Sequence, residues 1–232
     1  MILNVLAVGD VVGDSGVEYL SRHLRGLKKL KGVHFTVVNG ENASGVGILP
    51  RQAREIFDAG ADVVTLGNHT WNRIQIADFL EDDRYTLRPA NYTSRVPGRG
   101  WGVYDGPGGV RCEMDSNFDN PFTTADRVLR RMEGTDVVLV DFHAEATSEK
   151  GAMGYYLDGR AQAVWGTHTH VPTADGQILP KGPARPRACW ASGRSRPSTA
   201  FWAGCPAALS PPRAPASWRA YSSPSTPTSG GA

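Results

Sequence analysis

This 232-residue sequence lacks the features of a protein held together by disulfides or thiolate zinc sites, and it also lacks those of a membrane protein. It has only three cysteines, Cys112, Cys189 and Cys205, and no CxxC pair, so neither a disulfide framework nor a thiolate zinc site is supported. No apolar run approaches the ~18–20 residues that a membrane span requires. The apolar start lacks a basic leader and a small-residue cleavage site, and it meets Asp10 early. We therefore expect a cytoplasmic protein with no membrane partner.

The last 52 residues contain no Val, Ile, Asp, Glu, Asn or His. They carry seven basic and no acidic residues, whereas residues 1–180 carry 18 basic and 23 acidic ones, so the net charges are +7 and −5. This distribution argues against a uniformly basic nucleic-acid-binding domain. We expect residues 1–180 to form the folded domain. Residues 181–232, rich in Ala, Pro, Arg and Ser, are expected to be disordered or a frame-shifted segment, with a basic RNA-binding arm as the alternative.

Residues 1–180 alternate short apolar runs with amphipathic segments. This pattern is typical of an α/β fold in which strands feed helices that pack on a sheet. The apolar runs predict strands at 3–8, 35–38, 63–66, 137–140 and 161–165. Helical spacing of apolar residues predicts four helices, around 17–27, 50–56, 74–79 and 125–132. The Pro/Gly-rich stretch 95–109 is expected to be a loop, interrupted at most by a short strand at Val103-Tyr104.

A polar cluster follows each apolar run. Because the carboxyl ends of parallel strands share one edge of a sheet, these clusters are expected to converge. Their side chains include carboxylates, amides and four of the six histidines, a mixed oxygen and nitrogen set that suits iron, manganese or zinc. The clusters are Gly9-Asp10, Asn39-Gly40-Glu41-Asn42, Gly67-Asn68-His69, Asp141-Phe142-His143 and Gly166-Thr167-His168-Thr169-His170.

His168 and His170 are two residues apart, so in an extended segment their side chains point to the same side and can face one metal centre. Asp10, Glu41, Asn68 and His143 add oxygen and nitrogen ligands, and Glu41 is the most natural bridge between two ions. Any one of these residues, taken alone, is more often a turn residue, a helix cap or a hydrogen-bonded core histidine. The five clusters together favour a metal site.

Six segments resemble the YmdB-type branch of the calcineurin-like metallophosphoesterases over most of residues 1–180. The resemblance implies a calcineurin-like α-β-β-α sandwich, a dinuclear metal site usually described as di-iron, and hydrolysis of phosphodiesters, including 2′,3′-cyclic nucleotides. Manganese and zinc are the alternative metals. The segments are GDVVG, NGENASGVGI, GADVVTLGNHTW, LRPANY, VDFHAEATSEK and GTHTHVPTADGQILP.

Carried over onto this sequence, the resemblance implies two sets of metal ligands that share Glu41. One set is Asp10, Glu41, Asn42 and His170, and the other is Glu41, Asn68, His143 and His168. His69 resembles the proton donor, with a structural imidazole as the alternative. The implied reaction is attack on the phosphate by hydroxide that the metals activate, while a histidine protonates the leaving group. Four further residues could contact a ligand or the substrate, although each residue of this kind is more often a helix cap, a turn residue or a surface residue: Asp14, Asn91, Glu145 and Thr167.

Two departures from the family pattern stand out. A strand is expected to be missing near Cys112, and the closing C-terminal strands are expected to be missing after Pro180. Three other interpretations stay open: a phosphomonoesterase acting on nucleotides or sugar phosphates, a non-catalytic RNA-binding regulator, and an incomplete, inactive fold. The expected partners are a phosphodiester or cyclic-nucleotide substrate and, less directly, RNA; the sequence leaves a homo-oligomer open.

Overall fold

The computed structural model describes residues 3–104, 119–171 and 176–180, together with the backbone of strands at Val110–Asp115, Cys189–Ser192 and Phe201–Cys205. Two β-sheets face each other in this part of the chain, and helices cover the outer face of each. The helices are α1 (Gly13–Lys31), α2 (Pro50–Ala59), α3 (Ile76–Asp82), α4 (Pro121–Arg131) and α5 (Thr147–Tyr156), with a 3-10 turn at Thr70–Asn72.

The first sheet has the strand order β11-β1-β2-β3-β4, and the second has the order β5-β6-β7-β8-β10-β9. Neighbouring strands are parallel except at β11, β5 and β9, which are antiparallel edge strands. The strands are β1 (Leu3–Val8), β2 (Phe35–Asn39), β3 (Val63–Thr65), β4 (Thr86–Leu87), β5 (Trp101–Tyr104), β6 (Val110–Asp115), β7 (Val137–His143), β8 (Ala163–Thr167), β9 (Gln177–Ile178), β10 (Cys189–Ser192) and β11 (Phe201–Cys205).

Alternation along the strands divides the core into three layers. On β1, Val5 and Ala7 face the second sheet and pack in one cluster with Leu139 of β7, whereas Leu6 and Val8 pack against α1, α2 and α3. The outer face of the second sheet packs in the same way against α4 and α5. Burial of both faces explains why the strands are near-continuous apolar runs in the sequence. The predicted α-β-β-α sandwich is confirmed.

The five predicted strands and four predicted helices all correspond to observed elements, although their ends move by a few residues. The short strand expected at Val103-Tyr104 is β5. Helix α5 was not predicted, because its buried residues include Lys150 and Gly154 rather than a stripe of apolar side chains. None of the helices in the described part of the chain is long and apolar enough to cross a membrane.

Two expectations about missing strands are wrong. Residues Val110–Asp115 form β6, which lies between β5 and β7 in the second sheet. Strands β10 and β11 come from the segment 181–232; β10 pairs with β8 and β11 pairs with β1. The physical reason is that the edges of β1 and β8 present unpaired N–H and C=O groups, which an extended segment of almost any composition can satisfy. The disorder predicted for the rest of 181–232 concerns residues outside the described ones.

Candidate metal centre

The carboxyl ends of β1, β2, β3, β7 and β8 meet at one rim, as the parallel pairing requires. The structure brings all eight of the predicted metal and proton-donor residues together there. They are Asp10, Glu41, Asn42, Asn68, His69, His143, His168 and His170.

The first group of contacts is centred on His143, which is buried at the end of β7. Its Nε2 lies 3.0 Å from Glu41 Oε1, 3.0 Å from Asn68 Oδ1 and 3.1 Å from His168 Nδ1. Ligand atoms of Glu41, His143 and His168 all lie within 4.8 Å of one another, which is close enough for one cation to contact all three. The four residues are the set that the resemblance implies for one metal.

The second group of contacts surrounds His170. Its Nε2 lies 3.2 Å from Asp10 Oδ2 and 3.4 Å from Asn42 Nδ2. Asn42 Nδ2 in turn donates to Glu41 Oε1 at 3.2 Å. These are the residues that the resemblance implies for the other metal, and Glu41 again belongs to the group. The fully buried Glu41 therefore contacts members of both groups.

The backbone around the two histidines that follow β8 differs from the extended segment predicted for it. Strand β8 ends at Thr167, and both His168 (φ 88°) and His170 (φ 52°) lie in the left-handed region, which is uncommon for residues other than glycine. As a result, the two imidazoles do not face the same group of side chains. The ring of His168 contacts His143, whereas the ring of His170 contacts Asp10 and Asn42. The backbone N–H of His168 also donates to Asp10 Oδ2 at 3.2 Å.

Lys150 anchors this turn. It lies on α5 with 1% of its surface exposed, and its Nζ donates to Thr169 Oγ1 at 3.0 Å, between the two histidines. Burial lowers the pKa of Lys150, while the charges of Asp10 and Asp141 oppose that shift. A Cβ on Gly166 would lie 2.6 Å from the Lys150 side chain, so glycine is required there for the lysine to pass. Sequence reasoning missed Lys150, although it ends the quoted segment VDFHAEATSEK.

The donors present fit a cation. Asp10 is buried, and its Oδ1 has no hydrogen-bond partner among the described residues. Burial raises the pKa of Asp10 to about 6, a shift that His143 opposes and the nearby Glu41 carboxylate reinforces. Two buried carboxylates beside three imidazoles favour a positive charge at this place, and a metal ion would supply it. Gly67 keeps the centre open, because a Cβ there would lie 2.3 Å from both Glu41 Oε2 and His143 Nε2.

His69 lies at the edge of the centre and makes two hydrogen bonds with it. Its backbone N–H donates to Glu41 Oε2 at 3.1 Å, and its ring Nδ1 lies 2.9 Å from Asn42 Oδ1. Since Asn42 Nδ2 donates to Glu41, its Oδ1 is the acceptor for the Nδ1–H of His69. The side chain of His69 is one-third exposed, so its Nε2 is left free to meet a substrate.

Asp141 and Thr167 orient the ring of His143 through its Nδ1, the nitrogen that faces away from the other ligands. The Thr167 hydroxyl donates to Asp141 Oδ1 at 2.8 Å, so its oxygen accepts from His143 Nδ1–H at 2.8 Å. Thr65 donates to Asp141 Oδ2 at 2.7 Å. Complete burial raises the pKa of Asp141 to about 6, although these two hydroxyls favour its charged form. The network leaves the lone pair of His143 Nε2 facing Glu41, Asn68 and His168, as a metal ligand requires.

We predict that Thr167→Val weakens metal binding by about 10–100-fold, because valine keeps the shape of threonine but leaves the Nδ1–H of His143 without an acceptor. Thr167→Ser should restore most of the affinity. A metal titration of the stripped protein measures the effect. Thr86→Val is the matched control, since Thr86 is equally buried in a strand and its hydroxyl has no hydrogen-bond partner in the described part of the chain. Unchanged affinity in Thr167→Val would show that the network does not orient the ligand.

The remaining candidates divide into two groups. Glu145 Oε2 lies 2.6 Å from His168 Nε2, and Asn91 lines the same cavity as His143 and His168. Asp14 does not join the centre: it is exposed on α1 and pairs with Arg51 and Gln52. Asp141 was not singled out as a site residue, although it precedes Phe142-His143 in one of the quoted clusters.

Comparison with known proteins identifies the family. Residues 6–186 match the family described as YmdB-like protein. The chain belongs to this family. A 2′,3′-cyclic-nucleotide 2′-phosphodiesterase of Bacillus subtilis (strain 168) is 42% identical to this YmdB-like chain over 191 residues, which cover 78% of the chain and 72% of the relative. The resemblance drawn from the sequence is therefore confirmed, and with it the enzyme class: a metallophosphoesterase.

Two solved structures share the fold of this YmdB-like chain. A hypothetical protein from Thermus thermophilus superposes with a TM-score of 0.76 at 39% identity, covering 82% of this chain and 75% of that one. A protein of Mycoplasma pneumoniae, described as a novel phosphatase, gives a TM-score of 0.75 at 28% identity and covers 84% of this chain and 73% of its own. The YmdB-like family and the sandwich observed here are thus consistent with each other.

Proposed function

We propose that this protein hydrolyses 2′,3′-cyclic nucleotides with the help of two metal ions, iron being the first candidate. The observation that carries the proposal is the division of the ligand side chains into two groups, both of which include Glu41. One group gathers around His143 and the other around His170. The activity of the Bacillus subtilis relative supports the choice of substrate.

The two groups assign seven residues to metal binding. When bound, two such cations lower the pKa of water and neutralise the oxygens of a phosphate group. Glu41 would contact both ions, while His143 presents Nε2 because Thr167 holds its Nδ1–H. The residues proposed as ligands are Asp10, Glu41, Asn42, Asn68, His143, His168 and His170.

His69 is proposed as the proton donor to the leaving oxygen. Asn42 Oδ1 holds its Nδ1–H, which fixes the ring and directs Nε2 outward from the centre. A proton carried on Nε2 can then pass to the oxygen that leaves the phosphorus when the ring of a cyclic phosphate opens. The hydrogen bond from His69 to Glu41 comes from its backbone N–H at 3.1 Å, and the ring Nδ1 lies farther away, 4.0 Å from Glu41 Oε1, so the imidazole is not needed as a ligand by either group.

Metal reconstitution tests this proposal. The purified protein is stripped with a chelator and reloaded with Fe²⁺, Mn²⁺ or Zn²⁺, and metal content is measured beside hydrolysis of 2′,3′-cyclic AMP and of 3′-AMP. We expect about two ions per chain at full activity, because the site offers more ligands than one ion can use. Full activity with one ion per chain would contradict the dinuclear site. Hydrolysis of 3′-AMP without hydrolysis of the cyclic nucleotide would indicate a phosphomonoesterase. The cytoplasmic location stays a prediction.

A further inference from the structure

A cavity rich in arginine lies beside the metal centre. Its volume is about 880 Å³, and it is bounded by β5, by α4 and by the loop that follows β4. The only carboxylate among its described lining residues is Asp119, which pairs with Arg127 at 3.3 Å. The arginines that line it are Arg84, Arg88, Arg99, Arg127 and Arg131.

The arginine cavity adjoins the cavity of the metal centre, which has a volume of about 310 Å³ and is lined by His143 and His168. Asp119 lines both cavities. Asn91 lines the smaller one and the next residue, Tyr92, lines the larger one. A chain bound at the metal centre can therefore continue into the arginine cavity.

Three of the arginines are free of ion pairs within the described part of the chain. Arg88 is 5% exposed, and its guanidinium donates to the carbonyl oxygens of Pro89 and Pro97 at 2.8 and 3.0 Å. The guanidinium groups of Arg99 and Arg131 form neither hydrogen bonds nor ion pairs with described residues, and both residues are exposed. Arginine presents a planar fork of donors that suits phosphate oxygens. The cavity is thus suited to phosphate groups.

Aromatic side chains accompany the arginines. Trp101 of β5 and Tyr92 are both half-buried and line the cavity. The ring of Trp71 contacts Tyr92 edge-on, with centroids 6.0 Å apart, and so fixes its position next to the metal centre. Aromatic faces beside a positively charged groove are how proteins bind single-stranded nucleic acid, with bases stacked on the rings.

We propose that the arginine cavity binds the nucleotides that precede a terminal 2′,3′-cyclic phosphate, so that the substrate class is RNA with such an end. This inference rests on the function proposed above. A 2′,3′-cyclic phosphate requires a 2′-hydroxyl, so a strand that carries one is RNA and brings further phosphates on its 5′ side. A 2′,3′-cyclic mononucleotide carries only the cyclic phosphate that reacts, and it has no further phosphate to place in the cavity.

The first test compares a 2′,3′-cyclic mononucleotide with a tetraribonucleotide that has the same cyclic end. On the metal-loaded enzyme we expect kcat/KM to favour the tetranucleotide by about tenfold or more, the value of one charged hydrogen bond. The logarithm of kcat/KM should also fall more steeply with the logarithm of salt concentration for the tetranucleotide, by about 0.7 for each phosphate contacted. Equal kcat/KM values and equal salt slopes would overturn the inference and leave the proposed function standing.

The second test uses variants with matched controls. Arg99→Ala and Arg131→Ala should each lower the preference for the tetranucleotide about three- to tenfold and reduce its salt slope. Arg95→Ala and Arg130→Ala should keep the preference, because these arginines are exposed on the same loop and the same helix but do not line the cavity. If all four variants behave alike, the cavity does not bind RNA.

A binding measurement separates the two proposals if turnover fails. Fluorescence anisotropy with a labelled 3′-phosphorylated tetraribonucleotide reports binding in the absence of hydrolysis. Absence of hydrolysis of either cyclic substrate would count against the proposed function. In that case, weaker binding by Arg99→Ala and Arg131→Ala, but not by Arg95→Ala and Arg130→Ala, would still support the cavity as an RNA site. Equal binding by all four would overturn it.

Discussion

Replacing Glu41 by alanine is expected to remove both of the metal ions proposed above and to lower phosphodiester hydrolysis by at least ~10³-fold, since metal ions in such a site would supply several kcal/mol of charge stabilisation. The reason is that the Glu41 carboxylate contacts both groups of ligands, His143 Nε2 at 3.0 Å and Asn42 Nδ2 at 3.2 Å. Metal analysis of the purified variant, beside its rate with 2′,3′-cyclic AMP, measures both effects.

The control for this experiment is Asp14→Ala. Asp14 is an exposed carboxylate on α1 that does not reach the centre, so its loss should change neither metal content nor rate. Glu41→Gln tests the same role with less disturbance of packing, because glutamine retains the size of glutamate and can still accept the N–H of His69. If either Glu41 variant loses one ion and keeps the other, a different residue joins the two groups.

The place where the candidate metal ligands meet could be predicted from the sequence, because these residues follow the ends of parallel strands. Asp10, Asn68 and His143 each lie at or just beyond the end of a strand, and parallel strands bring such residues to one rim whatever the details of packing. The sharing of Glu41 between two groups was expected from the resemblance and agrees with its contacts to His143 and Asn42.

The residues that hold the candidate ligands in position could not be predicted, because their roles depend on contacts between separate helices and strands. In the sequence, Asp141 is an ordinary polar residue near the end of β7. Its role becomes visible only in the structure, where Thr65 and Thr167, from the two sheets of the sandwich, donate to it. Lys150 lies on a helix without an apolar stripe, so neither the helix nor its buried lysine was expected. The left-handed backbone of His168 and His170 follows from a turn that the alternation of a strand does not describe.

The strands β6, β10 and β11 could not be predicted for a different reason. Their own composition gives little sign of a strand, particularly for β10 and β11, which lie in a segment without valine or isoleucine. Their positions are determined by the edges they meet: β11 pairs with β1 over five residues, and β10 fits beside β8. Local propensity does not describe an interaction whose other partner lies in a distant part of the chain.

Replacing His69 by alanine should lower hydrolysis of 2′,3′-cyclic AMP by about 10²–10⁴-fold, the range typical of losing a general acid. Metal content should stay near that of the unchanged protein, because alanine keeps the backbone N–H that donates to Glu41 Oε2. The ring itself makes one hydrogen bond, to Asn42 Oδ1, and lies 4.0 Å from Glu41 Oε1. His23→Ala is the control: this histidine stacks on Tyr19 of α1, and its loss should leave the rate unchanged.

The leaving group distinguishes proton donation from a merely structural role for His69. An alkoxide leaves poorly without a proton, whereas a nitrophenolate departs without one, so the defect of His69→Ala should be much smaller with bis(p-nitrophenyl) phosphate than with 2′,3′-cyclic AMP. A structural imidazole would affect the two substrates equally, since both need the same metal centre. Loss of metal in His69→Ala would instead show that the centre needs the imidazole, as a ligand or through its bond to Asn42 Oδ1, and the assignment of His69 as the proton donor would be wrong.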